Sequence, residues 1–218
     1  HSSKAGMIGR IVGFLCSIPV VYTVHGWGFG PGRKKMTAFF VYVVELLLAR
    51  FKSEFISVSD VDRQLGIKYL LIPKSRITTI YNVSNFAAKN CSDGKSDVNV
   101  VMVARNAYPK DYATFFEALA HANLDSVSVV GGGTDERNFI MKAQCLSGRN
   151  FEKIEFMGER TDIEALLENA SIFVLSSRFE GLPISVIEAM SKGLPVIASS
   201  VGGIPELVTH KVNGLLFD

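Results

Sequence analysis

Cysteine is scarce: three residues, Cys16, Cys91 and Cys145, an odd number at no metal-ligand spacing. That pattern excludes a disulfide framework and argues against a thiolate metal site. It suits a reducing cytosol, and Cys16, inside an apolar run, is expected to be buried. Net charge is small, +2 over 218 residues, so gross charge makes no case for a nucleic-acid partner. No apolar run reaches the roughly 20 residues that cross a bilayer. The longest, Met36 to Ala49, contains Glu45 and is expected to form a buried or membrane-lying helix. Short repeats and low-complexity tracts are absent. So is a G-x-G-x-x-G followed by an acid some 20 residues on, which argues against a redox dinucleotide enzyme. The opening His1-Ser2-Ser3 has no signal-peptide character, and the chain is expected to begin in the middle of something longer.

What is present is unevenly distributed. Through Phe86 there are 11 Lys/Arg against 4 Asp/Glu, and after it 12 against 17. A basic first half suits peripheral contact with an anionic membrane surface or a phosphorylated lipid, and is equally what a scatter of solvated charges produces. Periodicity predicts a helix over 4–16, a strand in PVVYTVHG, a helix over 36–51, a strand in FISVSD capped onward by Ser59-Asp60, and a strand in ITTIYN. Ser84 to Asp97 is small and polar, the best linker candidate. Beyond it strands (VNVVMVA, SVSVVGGG, IEFMGE, SIFVL, Pro195 to Ala198) alternate with helices over 112–122, 135–146 and 162–170. Such alternation predicts an α/β fold with doubly wound parallel sheets, which bind ligands at strand carboxyl ends. The organisation expected is 1–84 as a first, incomplete Rossmann-like domain, 85–97 as linker and 98–218 as a second.

The polar clusters fall at those ends. In SSRFEGLPISVIEAMSKGLPVIASSVGGIPELV, Pro183 suits a first helical position, Lys192 the last turn and Gly193 the cap. The amides of Gly181, Leu182, Pro183's neighbour Ile184 and the dipole behind them suit a phosphate, and Glu188 leans back towards the same start. An E-x7-E spacing by itself is as well explained by two surface carboxylates. Arg105 and Lys110 bracket a loop after VNVVMVA and could hold a diphosphate, one as a fork and one as a point charge; alone they would be solvated cations. Gly131, Gly132 and Gly133 permit close backbone approach to a nucleotide, though a glycine triplet is a weak signal. His25 ends a strand before Gly26, where it could meet a sugar hydroxyl or serve structure only.

At these residues the chain resembles the retaining nucleotide-sugar glycosyltransferases of family 4, of the GT-B class with two Rossmann-like domains. The matching pieces are HSSKAGMIGR, VVYTVHGWGF, FISVS, ITTIYN, VARNAYPKD, VVGGG, FMGER, the 176–208 stretch and NGLLF. The resemblance implies catalytic roles for Glu180 (donor sugar), Arg105 and Lys110 (diphosphate leaving group) and His25 (donor sugar). It implies donor binding by Glu188 on ribose, by Gly181, Leu182, Pro183 and Ile184 on phosphate, and by Gly131, Gly132, Gly133, Met157 and Gly158 beside nucleoside and base. It implies a UDP- or GDP-sugar donor, a saccharide or lipid-linked acceptor, no cofactor and no required metal, and a place in the cytoplasm at the inner face of the cytoplasmic membrane. Family members start with a strand and glycine-rich loop ahead of the point matched by His1 and end with further helices, so the resemblance implies a part of a longer enzyme. A phosphorylase or epimerase on the same architecture, or a nucleotide-binding module without activity, stays open at this level.

Overall fold

The computed structural model describes residues 3–29, 35–88 and 97–218. They form two compact units. Unit 1 comprises His1–Asn82 with two later segments, Phe179–Pro183 and Gly202–Glu206; unit 2 comprises Val83–Arg178, Ile184–Val201 and Leu207–Asp218. Most of the expected linker, together with Cys91, Gly30, Gly32, Arg33 and Lys34, lies outside the described residues.

In unit 1, α1 (Ser3–Leu15), β1 (Val20–Val24), α2 (Lys35–Leu48), β2 (Ser53–Ser57), α3 (Asp60–Tyr69) and β3 (Ile77–Thr79) build a three-stranded sheet in the order β1-β2-β3. Both pairings are parallel, with Val24 opposite Ser57 and Ser57 opposite Thr79. The core is aromatic and aliphatic: Tyr22, Val24, Trp27, Phe55, Leu70, Ile72 and Ile77. Gly6 and Gly13 lie so close to Tyr22 and Val20 that a β-carbon would collide, which accounts for glycine inside α1, whereas Gly9 faces open space. Cys16, expected inside, is exposed, because it follows the last residue of α1. Helix α2 ends at Leu48, short of the expected Phe51; residues 49–51 tighten into a turn through Arg50 N→Leu47 O and Phe51 N→Leu48 O bonds. Nor is α2 a buried helix, since Met36, Phe39, Phe40 and Leu47 are exposed.

Two polar contacts set this unit. Arg10 of α1 and Glu45 of α2 are buried and paired at 2.6 Å, the guanidinium also lying 4.6 Å from the centre of the Tyr22 ring. At α3, Ser59 is the N-cap, accepting from the Asp62 amide at 3.1 Å and donating to the Asp62 carboxylate at 2.9 Å. The single tryptophan, Trp27, is buried and donates its indole N–H to the Asp62 carbonyl at 2.7 Å. The start of α3 therefore anchors the loop that leaves β1.

Unit 2 runs β4 (Asn99–Val103), α4 (Tyr112–His121), β5 (Ser126–Val130), α5 (Arg137–Leu146), β6 (Ile154–Gly158), α6 (Ile163–Asn169), β7 (Ile172–Leu175), α7 (Ile184–Ser191), β8 (Val196–Ser199) and β9 (Gly214–Phe217); the short α8 (Ile204–Leu207) between β8 and β9 groups through Glu206 with unit 1. The sheet order is β6-β5-β4-β7-β8-β9. Strand interiors such as Val101, Met102, Val129, Val130, Phe173 and Leu175 are buried, as expected for a parallel sheet covered on both faces. Tyr112, Phe115 and Phe116 of α4 interlock with Phe139 and Phe156. The edge strand β9 was not anticipated; four residues after Asn213 carry too little pattern to announce a strand. At α6, Asp162 is the N-cap residue but makes no side-chain cap, because Arg160 holds its carboxylate at 2.6 Å. Glu164, in the first turn of α6, pairs with Lys192, which also reaches Glu168 at 3.0 Å.

Removing one partner of a buried ion pair strands the other charge, at a cost of about 3–5 kcal/mol. Glu45→Ala is therefore expected to lower the unfolding free energy of the full-length protein by that amount in urea titration, and Arg10→Met with Glu45→Leu to recover most of it. Burial pushes the Asp62 carboxyl up from 3.8 to about 6, against the opposing hydrogen bonds of Ser59 and the Trp27 amide. A carboxyl raised on folding contributes stability that is complete below its unfolded value and is lost as pH rises through its folded one. The gap between 3.8 and about 6 corresponds to roughly 3 kcal/mol. Asp62→Asn should thus gain on wild type between pH 4 and pH 7 in unfolding free energy; a pH-independent difference would contradict this.

Candidate functional site

In unit 2 the chain leaves β4 for β5 and β6 on one side, then returns to place β7, β8 and β9 on the other. That reversal makes a switch point between β4 and β7, where parallel sheets open a crevice at the strand carboxyl ends. The loop carrying Arg105 and Lys110 leaves β4 there, and Ser176–Arg178 leave β7 there. The two are stitched together. Lys110 bridges to Ser177, the Asp111 amide donates to the Ser176 carbonyl at 2.9 Å and the Arg178 amide to the Pro109 carbonyl at 3.0 Å. The Ser176 hydroxyl donates to the Asp111 carbonyl at 2.8 Å, and Arg178 pairs with the Asp111 carboxylate at 2.9 Å. Arg105 is exposed at this edge and Lys110 is half-buried.

The loops after β5 and β6 join the same edge through their backbones. The Gly131 amide donates to the Gly158 carbonyl at 2.7 Å, and the Asn106 amide to the Gly132 carbonyl at 2.9 Å. Asn106 Nδ2 donates to the Gly133 carbonyl at 3.2 Å. Gly131, at φ 137°, packs against the Ala104 carbonyl where no β-carbon fits, so the glycine there is required twice, by conformation and by contact. Buried Thr134 closes the turn, donating to the Gly131 carbonyl at 2.8 Å. Arg105, Gly131, Gly132, Gly133, Met157 and Gly158 are thereby brought to one edge of one sheet.

Glu188 lies in α7 of the same unit, half-buried, and burial raises its carboxyl above the ordinary value. Helix α7 begins at Ile184 and has 8 residues, so Pro183 precedes the first turn rather than opening it. Gly193, at φ 72°, ends it as expected, but Lys192 is buried against Glu164 and Glu168 rather than free at the last turn.

Glu180, Gly181, Leu182 and Pro183 group with unit 1. A β-carbon on Gly181 would fall 2.7 Å from the His25 carbonyl, and one on Gly26 would fall 2.9 Å from the Phe179 ring. The segment is also held by Gly203 N→Gly181 O at 2.8 Å and Asn82 Nδ2→Leu182 O at 2.7 Å. The structure therefore collects Glu180 and His25 in one loop cluster at the carboxyl end of β1, although 155 positions of sequence separate them. Burial lowers the His25 pKa, which favours a neutral imidazole at pH 7.

Sequence reasoning passed over three residues that hold this arrangement. Asn106 and Thr134 look like ordinary loop polars, and only their positions beside the glycine triplet hinted at a role. Glu206 accepts from the amides of Asp60 and Val61, both at 2.8 Å, closing the positive end of α3; a pairing across 146 residues leaves no local signal.

The sequence family described as glycosyl transferases group 1 matches residues 97–218. A UDP-Gal:alpha-D-GlcNAc-diphosphoundecaprenol alpha-1,3-galactosyltransferase of Escherichia coli is 32% identical, over 100% of this chain and 61% of its own length. The Escherichia coli O-antigen biosynthesis glycosyltransferase WbnH is 31% identical with the same coverage, 100% and 61%. Among solved structures, Anabaena Alr3699/HepE in complex with UDP-glucose gives a TM-score of 0.82 at 26% identity, over 99% of this chain and 63% of that one. The chain thus spans 61% of the length of the curated relatives it matches. The α/β architecture with two parallel sheets is that of GT-B glycosyltransferases. With its glycine-stitched loops inside the matched residues, the chain belongs to the glycosyl transferases group 1 family.

Proposed function

We propose that the protein containing this chain is a retaining glycosyltransferase. It moves a hexose from a nucleoside-diphosphate sugar to a hydroxyl of a lipid-linked saccharide during cell-surface polysaccharide assembly, with no required metal, at the cytoplasmic face of the membrane. The observation that carries the reading is the switch point of unit 2. Two cations, Arg105 and Lys110, stand on a loop fixed to β7, beside glycine loops that admit a nucleotide. The donor named for the galactosyltransferase relative and the ligand in the HepE structure favour UDP over GDP as the base carrier. The diphosphoundecaprenol acceptor named for that relative favours a lipid-linked acceptor.

In this reading the bond between the anomeric carbon and the β-phosphate oxygen breaks. The acceptor oxygen forms the new glycosidic bond on the same face, and its proton passes to the departing phosphate oxygen. Arg105, as a planar fork, and Lys110, as a point charge, stabilise the negative charge gathering on the diphosphate. The amides of Gly181 and Ile184 donate to phosphate oxygens. Glu180 and neutral His25 hydrogen-bond hydroxyls of the donor sugar, placing the anomeric carbon. Glu188, a carboxylate in a partly dry setting, accepts the ribose hydroxyls, which supply the hydrogen bonds that burial withholds. Met157 and Gly158 flank the nucleoside.

Loss of a group that acts on developing charge costs about 10²–10³ in kcat. In a labelled-UDP-hexose transfer assay of the full-length enzyme, Arg105→Ala should fall by that range and Glu180→Ala, which misplaces the anomeric carbon, by about 10², both with unchanged circular dichroism. Glu188→Ala should chiefly raise the donor KM. Near-wild-type turnover in both Arg105→Ala and Glu180→Ala would contradict the assignment.

A further inference from the structure

Glu180 stands on a loop held by a second late segment of unit 1, Gly202–Glu206, which lies along the Glu180–Gly181 backbone. The Gly203 amide donates to the Gly181 carbonyl at 2.8 Å. Gly202, at φ 55°, comes so close to the Glu180 carbonyl that no β-carbon fits there. One on Gly203 would fall 2.7 Å from the Ser59 β-carbon. The Gly202–Gly203 backbone is thus wedged between the Glu180 loop and the N-cap of α3. Three residues on, Glu206 fastens the same segment to α3. Its two carboxylate oxygens accept from the Asp60 and Val61 amides, each at 2.8 Å, and the Tyr81 hydroxyl also donates to it. Ile204, between the two holds, is fully buried. Every residue in this chain of contacts belongs to unit 1.

Helix stability alone does not account for a carboxylate at that point. Ser59 already takes the Asp62 amide, and Asp60 and Asp62 already place two acids in the first turn, beside the positive end of the dipole. The amide of exposed Val61 could equally be satisfied by water. A third acid adds like-charge repulsion, and the Glu206 charge is one cause of the raised Asp62 carboxyl. What the carboxylate supplies is geometry. Charge-assisted bonds from two adjacent amides, one to each oxygen, fix both the position and the orientation of the group that accepts them. Through Ile204 they fix Gly203, and through Gly203 the Gly181 carbonyl. Without that grip the Glu180 loop is free to shift on the His25 carbonyl, against which Gly181 packs. A misplacement of about 1 Å at a substrate-positioning group costs on the order of 10²-fold in rate.

We propose that Glu206 is a positioning residue for the transfer reaction, holding Glu180 in register with the donor sugar by fixing the Gly202–Gly203 backbone to the start of α3. This rests on the reading of Glu180 as the residue that places the anomeric carbon. The test is a double-mutant cycle in the full-length protein, read as kcat and donor KM for transfer from a labelled UDP-hexose. Glu206→Leu should lower kcat about tenfold and leave the donor KM within about twofold. Glu206→Gln, which keeps one acceptor, and Tyr81→Phe, which removes one donor to the carboxylate, should each fall about threefold. In a Glu180→Ala background none of the three should lower kcat further, because the group being positioned is gone. The two milder variants carry the same comparison if Glu206→Leu does not fold. Equal falls in both backgrounds would mark a general loss of structure and overturn the proposal, as would wild-type turnover in all three variants. Wild-type turnover in Glu180→Ala would instead contradict the site reading itself, and this inference with it, so the two failures are told apart.

Discussion

Every ladder between strands in both sheets is parallel, and the candidate site depends on that constraint. Parallel pairing sends each strand's carboxyl end to the same edge and forces a helix between successive strands. The residues with usable chemistry accordingly sit on short loops along one edge, where a backbone bond such as Gly131 N→Gly158 O can fix one loop against another. The reversal of strand order between β4 and β7 then parts the edge where Arg105 and Lys110 stand. Rigid strands position the loops, and main-chain bonds between loops, joined by the Arg178–Asp111 ion pair, hold the cations in register.

Much of this was legible in sequence because it is local. Runs such as VNVVMVA and SVSVVGGG announce parallel strands by their β-branched character, and Ser59-Asp60, capping residues at a strand end, announce the start of α3. The glycine triplet and the cations also read correctly as strand-end features, since position along a strand is a local property. What sequence could not supply was distance. That Glu180 and His25 share a loop cluster follows from the fit of Gly181 on the His25–Gly26 backbone, which no spacing rule contains. Glu206 at the start of α3 is of the same kind. The errors were competitive. Asp162 stands at the N-cap of α6 and Glu164 in its first turn, but their carboxylates go to Arg160 and Lys192, stronger charged partners. Cys16 is apolar in company but lies one residue beyond its helix.

The two units handle charge differently. Unit 1 hides the Glu45 carboxylate against Arg10 and leaves lysines outside. Unit 2 keeps Lys192 inside, neutralised by Glu164 and Glu168. Its exposed Arg105 is instead at the strand edge, where a diphosphate would meet it. Stability and function thus draw on the same residue types under opposite solvation, and burial decides which use each serves.

The central claim is that the β4–β7 edge receives the donor diphosphate. A crystal structure of the full-length protein soaked with a UDP-hexose measures this most directly. Diphosphate oxygens within hydrogen-bond distance of Arg105 and Lys110, with the uracil against the Met157–Gly158 loop, are the result expected. A nucleotide bound away from that edge, with Arg105 and Lys110 facing solvent, would contradict it.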